Sequence, residues 1–167
     1  MIVADATPLI HLARAGRLGL LPKLYERVVV PGSVWEEAVG QDEPRPEAQA
    51  FRDASESWLE VRTLAAREMR TADALRKGAP VGRGESEAIA LAESLSAALL
   101  MDDRVAIGLA RMRGVSTRWT TSAVLEAHLG GILDRTDARR AIEDLVGAGL
   151  WIGQDALLRI LAVLEEG

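Results

Sequence analysis

The sequence has 167 residues, a length typical of one folded domain, and 49% of them are hydrophobic against 27% charged. That balance excludes an intrinsically disordered chain, and the absence of cysteine excludes disulfides, thiolate nucleophiles and zinc–cysteine sites. The net charge of −5 argues against a nucleic-acid binder that relies on a basic surface alone, although four arginines fall close together: Arg104, Arg111, Arg113 and Arg118.

The apolar runs are all short. None approaches the roughly 20 residues that are needed to span a bilayer, and no basic leader precedes the first apolar run. We therefore expect a cytoplasmic protein that does not enter a membrane.

In the first half of the chain, short apolar runs alternate with helical patterns. The strands are predicted at 2–4, 27–30 and 58–61, and the helices at 7–16, 18–24, 33–38, 47–55 and 65–76. We expect Thr7 to cap the first helix, with Pro8 at its first helical position, and Ser33 to cap the helix after the second strand. The proline-containing segment 40–46 is predicted to be a polar loop.

A breaker segment with three glycines and one proline, at 78–84, opens the second half of the chain. The strands after it are predicted at 98–101 and 115–119, and the helices at 85–92, 104–112, 120–129, 137–148 and 154–165. The better strands are continuously apolar, which indicates a parallel sheet covered by helices on both faces. The sequence thus predicts an α/β fold in one domain, 1–167, with 134–167 as closing helices.

Acidic residues follow two of the predicted strands. Asp5 ends the first strand, and Asp102 and Asp103 end the strand at 98–101. In a parallel sheet these positions lie at the same edge, where open α/β sheets bind ligands. We therefore expect Asp5 and at least one of the later pair to lie close enough to share a cation.

Further acidic residues stand near that edge: Glu37 in the helix after the second strand, and Glu85 and Glu87 in the first turn after the glycine loop. Mg²⁺ prefers carboxylate oxygens and retains waters that can be activated. Each residue also has a structural interpretation, as a turn residue or as a charge that complements the helix dipole. Helical geometry does not choose between Glu85 and Glu87, which point in nearly opposite directions.

Other polar and aromatic residues give weaker signals. Thr7 is either a helix cap or a hydroxyl that supports a metal site, and Gly82-Arg83-Gly84 is interpreted as a turn. His11 is expected to be a hydrogen-bonded histidine of the core. The four tryptophans are too scattered in sequence to predict a stacking platform, and we expect them in the core or at interfaces: Trp35, Trp58, Trp119 and Trp151.

Taken together, these residues resemble the PIN-domain family, and in particular the VapC-like, DUF3368-type subgroup of bacterial and archaeal nucleic-acid-binding proteins containing a PIN domain. The resemblance covers essentially the whole chain. It is carried by DATPLI at 5–10, VPGSVWEE at 30–37, GRGESEAIALA at 82–92, LLMDDR at 99–104 and GIL at 131–133.

The resemblance implies a Rossmann-like, three-layer α/β/α sandwich around a short parallel sheet. It also implies Mg²⁺- or Mn²⁺-dependent ribonuclease chemistry, as in the toxins of VapBC-type toxin–antitoxin pairs, with RNA as the substrate and an antitoxin as a possible partner. The implied catalytic residues are Asp5, Glu37, Glu87 and Asp102, with metal ligands among Asp5, Glu87, Asp102 and Asp103, and with Thr7, Glu85, Asp103 and Thr120 in support.

Two alternatives remain open beside this interpretation. The first is a PIN-like module without catalytic activity that binds nucleic acid or a protein. The second is a small-ligand or receiver-type α/β domain, which ranks last because no lysine stands at a later strand end. The sequence also departs from the subgroup where Trp119 replaces a usual glycine, a change that would narrow the site.

The closing helices carry a large apolar face that includes Trp151, Leu157 and Leu158. We expect either that another subunit or an antitoxin covers part of it, giving a homo-oligomer such as a dimer, or that it packs on the sheet.

Overall fold

The computed structural model describes residues 1–40 and 45–166. Its strands are short: β1 (Ile2–Ala4), β2 (Val28–Pro31), β3 (Leu59–Arg62), β4 (Ala98–Leu100) and β5 (Thr117–Arg118). The three central ones, β1, β2 and β4, are apolar as predicted. A 3₁₀ turn at Leu18–Leu20 precedes α2, and the helices are α1 (Ala6–Arg14), α2 (Leu21–Leu24), α3 (Gly32–Val39), α4 (Ala48–Ser55), α5 (Ala66–Gly78), α6 (Arg83–Leu95), α7 (Arg104–Met112), α8 (Thr120–Leu129), α9 (Arg135–Gly147) and α10 (Gln154–Glu166).

All strand pairs of the described sheet are parallel, and the strand order is β3-β2-β1-β4-β5. The chain first builds outward from β1 to β3 and then crosses back to β4 on the other side of β1. The order of connection therefore reverses between β1 and β4. In open α/β sheets the crevice for ligands lies at such a reversal, outside the carboxyl ends of the strands.

Helices cover both faces of the sheet. Crossover connections are right-handed, so those that run in opposite directions across the sheet place their helices on opposite faces. On one face α6 contacts β1, β2 and β4, and it packs against α5 and α7. On the other face α1 contacts α8 and α9, and α8 contacts α2. This is the predicted three-layer α/β/α arrangement, which the structure confirms.

The core is built mainly from aliphatic side chains, since aromatic residues make up only 4% of the chain. Every residue of β1 is fully buried, and Phe51 packs among leucines, valines and isoleucines. The continuously apolar strands are thus central strands with both faces covered, as expected for a parallel sheet.

Two predicted helix caps are wrong. The cap position of α1 is Asp5 rather than Thr7, which lies exposed within the helix. Helix α3 begins at Gly32, and the Ser33 hydroxyl donates a hydrogen bond to another helix instead of capping its own. Of the predicted loop at 40–46, positions 41–44 lie outside the described residues.

In the parts of the chain that the structure describes, no helix is long and apolar enough to cross a membrane.

Candidate active site at the carboxyl edge of the sheet

The edge predicted to carry the site is formed by the ends of β1 and β4. Asp5 directly follows β1, and its backbone N–H donates to the carbonyl of Leu100 at 3.0 Å. Asp102 stands two residues after Leu100, which is the last residue of β4. The structure therefore places Asp5 and Asp102 at the same edge of the sheet.

A cavity of about 640 Å³ opens beside β1 and β2 at this edge. Thr7, Ser33 and Gly84 line it, together with four acidic and two basic side chains: Asp5, Glu36, Glu37, Glu85, Arg45 and Arg83. We call this cavity the acidic pocket. It unites Asp5, Glu37, Glu85 and Thr7 from the predicted set, whereas Glu87, Asp102, Asp103 and Thr120 do not line it.

Asp5 and Glu37 approach each other across Gly84. A Cβ atom built on Gly84 would lie 3.3 Å from Oε2 of Glu37 and 3.8 Å from Oδ1 of Asp5. Both carboxylates thus reach one point, and the absence of a side chain at position 84 keeps that point open. Sequence reasoning interpreted this glycine only as part of a turn.

Burial changes the acidity of Asp5, which is only 4% exposed. The pKa of its carboxyl is raised from 3.8 to about 7. Loss of solvation is the main cause, the negative charges of Glu37 and Glu85 add to it, and the neighbouring N–H groups of Ala6 and Thr7 oppose it. A buried carboxylate surrounded by like charges is stabilised in its charged form by a cation.

Glu85 lies both at the start of α6 and in the acidic pocket. Its Oε2 accepts the N–H of Gly82 at 2.8 Å, which closes the first turn of α6, and its charge acts on Asp5. Both interpretations of Glu85, as a helix-terminal carboxylate and as a member of the acidic site, are therefore compatible with its position.

Glu87 is buried and bound on both oxygens. Its Oε2 accepts the Ser33 hydroxyl at 2.6 Å, and its Oε1 accepts Nε of Arg83 at 2.9 Å. Arg83 also reaches Glu36 at 3.3 Å. This network ties α3 to α6 across the pocket wall. The Arg83–Glu87 pair has the i,i+4 spacing of helical ion pairs, so it was predictable from the sequence.

Asp102 is held by the start of α8. Its Oδ1 accepts the backbone N–H of Thr120 at 2.9 Å, and its Oδ2 accepts the Thr120 hydroxyl at 2.6 Å. Nδ1 of His11 lies 4.0 Å from Oδ2 and is buried without a hydrogen-bond partner among the described residues. The expectation that His11 is fully hydrogen-bonded is therefore wrong.

Asp103 caps α7, since its Oδ1 accepts the N–H of Ala106 at 2.8 Å. Asp102 and Asp103 both line a second cavity, beside β4 and β5, together with Trp119. The carboxylates of the predicted set are thus divided between two cavities along one edge, except for Glu87, which lines neither of them.

The donors of the acidic pocket suit a hard divalent cation. Among residues 1–40 and 45–166, no three acidic or histidine side chains lie close enough to bind one ion as they stand. Mg²⁺, however, is commonly held by one or two carboxylates and several waters. Asp5 and Glu37 supply two such carboxylates at the point left free by Gly84, so the residues present fit this ion.

Comparison with protein families identifies the family of this chain. The family DUF3368, described as a PIN domain, matches residues 1–166. The chain therefore belongs to this PIN-domain family, as the sequence blocks predicted.

Among solved structures, the chain is similar to a PilT N-terminus domain protein, SSO1118, from the hyperthermophilic archaeon Sulfolobus solfataricus P2, with 17% sequence identity and a TM-score of 0.49. That match covers 74% of this chain and 90% of the other chain. No protein with a curated description matches the chain. PIN domains are generally nucleases and generally use divalent metal ions.

Proposed function

We propose that this protein is an Mg²⁺- or Mn²⁺-dependent endoribonuclease whose active site is the acidic pocket. The observation that carries the proposal is the approach of Asp5 and Glu37 to one point beside Gly84, at the reversal of strand order. Membership of a PIN-domain family supports the reaction class. A bound divalent ion would activate water and stabilise charge on the scissile phosphate.

Each residue of the acidic pocket has its own role in this proposal. Asp5 and Glu37 would hold the ion, and the Glu85 charge reinforces the negative potential at Asp5. Thr7 is exposed at the pocket and is placed to hydrogen-bond a water or a phosphate oxygen. Arg45 lies at the same pocket and donates to the carbonyl of Glu37 at 3.0 Å, so it adds a positive charge for the phosphate.

We further propose that the protein acts as the toxin of a toxin–antitoxin pair. This proposal rests on the likeness of its sequence blocks to VapC-like proteins. A toxic ribonuclease arrests growth when it is expressed without its antitoxin, and substitution of a metal-binding residue relieves the arrest. A small open reading frame beside the gene is the expected source of the antitoxin.

The competing function is a PIN-like module that binds nucleic acid or protein without cleavage. The structure offers one observation in its favour: Glu87 and Asp102 already have hydrogen-bond partners inside the protein. In that case the acidic pocket would bind no divalent ion and would cleave no RNA.

Replacement of Asp5 by asparagine tests the proposal. Asp5→Asn keeps the size of the side chain and one acceptor oxygen but removes the charge on which metal binding depends. We expect Mn²⁺ to raise the melting temperature of the wild type but not of the variant. Cleavage of a mixed-sequence RNA in Mn²⁺ should fall by orders of magnitude in the variant.

Asp53→Asn is the matched control, because Asp53 is exposed on α4, away from the edge of the sheet. It should behave as the wild type in both assays. Equal cleavage by the wild type and Asp5→Asn would identify a contaminating nuclease or another site. A wild type that neither cleaves RNA nor responds to Mn²⁺ would favour the non-catalytic module.

A further inference from the structure

The second cavity, of about 590 Å³, lies at the same edge of the sheet as the acidic pocket, beside β4 and β5. Its walls come from the starts of α7 and α8, from the segment that joins α9 to α10, and from α10 itself. Trp119, Trp151, Arg104 and Arg159 line it, and we call it the tryptophan groove. Its volume lies within the range of small-molecule sites.

The two tryptophans are 32 positions apart in sequence, so their shared groove is not apparent before folding. Trp119 occupies the cap position of α8 and packs partly on the core. Trp151 is 77% exposed, although an indole is among the largest apolar groups that a protein can bury. The ring edge of Trp151 lies against Gly153, where an added Cβ would be 3.4 Å from Cη2.

The arginines of the groove differ from the other arginines nearby. Arg113 binds Glu93 and Arg118 binds Glu126. Arg104 and Arg159 have no acidic partner within 4 Å in the described part of the chain. The groove carboxylates, on Asp102 and Asp103, accept hydrogen bonds at the starts of α8 and α7.

We propose that the tryptophan groove binds a base and an adjacent phosphate of a single-stranded nucleic acid. The proposal rests on the proposed function, since the same strand would extend into the acidic pocket. Aromatic rings on which bases stack, together with arginines that meet the backbone, are the features by which proteins bind single strands. Bases in a duplex are already stacked on one another, so the groove selects unpaired substrate.

The two cavities follow each other along one edge of the sheet. Asp5 lines the acidic pocket, Asp102 lines the groove, and β1 and β4 are hydrogen-bonded neighbours. A nucleic acid whose base is bound in the groove would therefore extend along this edge toward the acidic pocket.

A nucleic acid fits the groove better than a protein partner does. A protein interface on α10 would also use Leu158 of that helix, which is 59% exposed but does not line the groove. The groove combines indole rings with guanidinium groups, and this combination matches the flat bases and the charged backbone of a nucleic acid.

The test measures binding without cleavage. A fluorescein-labelled RNA octamer is titrated in EDTA at low salt, with fluorescence anisotropy as the readout. Trp151→Ala should weaken binding about fivefold to 150-fold, the range for loss of one stacked base, whereas Trp151→Phe should retain most of the affinity. Leu158→Ala is the matched control and should bind as the wild type does.

An octamer of abasic sugar-phosphate with the same charge supplies the second arm. The wild type should bind it more weakly than RNA, and Trp151→Ala should no longer distinguish the two. Arg159→Ala should bind both more weakly and should lower the slope of log affinity against log salt by about one.

Equal binding of RNA by the wild type and Trp151→Ala would overturn the proposal. So would a dimer of the wild type in sedimentation that Trp151→Ala and Leu158→Ala both dissociate, because the groove would then be an interface between copies. A different pattern marks failure of the proposed function: base-dependent binding persists, but Mn²⁺ neither stabilises the protein nor supports cleavage.

Discussion

The carboxyl group of Asp5 exchanges its proton at a pH at which an exposed aspartate is already fully ionised. Burial is the main cause, and the charges of Glu37 and Glu85 add to it, so its pKa rises to about 7. The folded protein therefore holds a proton on Asp5 between about pH 4 and pH 7, a range in which the unfolded chain has lost it. The contribution of Asp5 to the stability of the metal-free protein therefore falls as pH rises through this range.

The first prediction at the residue scale follows from this decrease in stability with rising pH. Metal-free Asp5→Asn should melt about 5 °C above the wild type at pH 8, and within about 1 °C of it at pH 4. Below pH 4 Asp5 is protonated in both the folded and the unfolded state, so it does not change the free energy of unfolding. Above pH 7 its buried charge destabilises the folded state to the full extent. Thermal melts in EDTA from pH 4 to pH 8 measure the difference.

Only the difference between the two proteins reports Asp5, since other groups titrate in both. A difference in melting temperature that stays constant over this pH range would contradict the raised pKa. Excess Mn²⁺ should reverse the order at pH 8, because the ion stabilises only the protein that binds it.

At the scale of elements, the start of α6 decides the geometry of the acidic pocket. Gly84 lies in the first turn of this helix, against Val34 of α3 and the carboxylate of Glu37. The Ser33–Glu87–Arg83 network holds the same two helices together. The packing of α6 against α3 thus sets how close Gly84 lies to the Glu37 carboxylate.

A methyl group at position 84 is the sharpest probe of that geometry. In Gly84→Ala the Glu37 carboxylate must move by a few tenths of an ångström, which a flexible side chain can do. We expect the melting temperature to stay the same or rise slightly, because alanine favours helix. Mn²⁺ affinity and RNA cleavage should fall about tenfold, an effect typical of disturbed metal-site geometry.

Gly108→Ala is the control for this prediction. Gly108 lies within α7, and an added Cβ there meets nothing within 4 Å. This variant should gain stability from helix propensity without any change in Mn²⁺ affinity. If Gly84→Ala binds Mn²⁺ as tightly as the wild type does, the point beside Gly84 is not the metal site.

At the scale of the whole molecule, the closing helices share the core of the sheet. In α9, Ala138, Ala141 and Leu145 are fully buried, and this helix contacts α1 and α8. Within α10, Ile160 and Leu164 are also buried, whereas Leu158 and the preceding Trp151 are exposed. The apolar face of these helices is thus covered only in part by the chain itself, and a second subunit or an antitoxin on the remainder stays a prediction.

We expect residues 1–167 to unfold as one cooperative unit. Leu145→Ala opens a cavity between α9 and the helices on which it packs, and it should destabilise the whole protein by about 2–5 kcal/mol. Its neighbour Val146 is 48% exposed, so Val146→Ala should cost less than about 1 kcal/mol. Far-UV circular dichroism and tryptophan fluorescence in urea should follow a single transition in both variants.

The closing helices would instead form a separate unit if Leu145→Ala shifted one of two transitions and left the other in place. The contacts of α9 with α1 and α8 argue against that outcome.

The sequence by itself determined the central strands and the edge of the sheet at which the acidic residues lie. Ile2–Ala4, Val28–Pro31 and Ala98–Leu100 are continuously apolar, and such runs predict central parallel strands because hydrophobic pattern is a local property of the chain. Since parallel strands end at one edge, the positions of Asp5 and Asp102 followed from the same pattern. The family was likewise readable from ordered blocks of residues.

Only the tertiary structure decided which side chains meet. Glu85 and Glu87 share the same local pattern, yet one lines the acidic pocket and the other is bound by Ser33 and Arg83. Trp119 and Trp151 share a groove although their sequence spacing shows no relation. The physical reason is that hydrogen bonds and close contacts act over about 3–4 Å, whereas sequence periodicity fixes only the face of an element on which a residue lies.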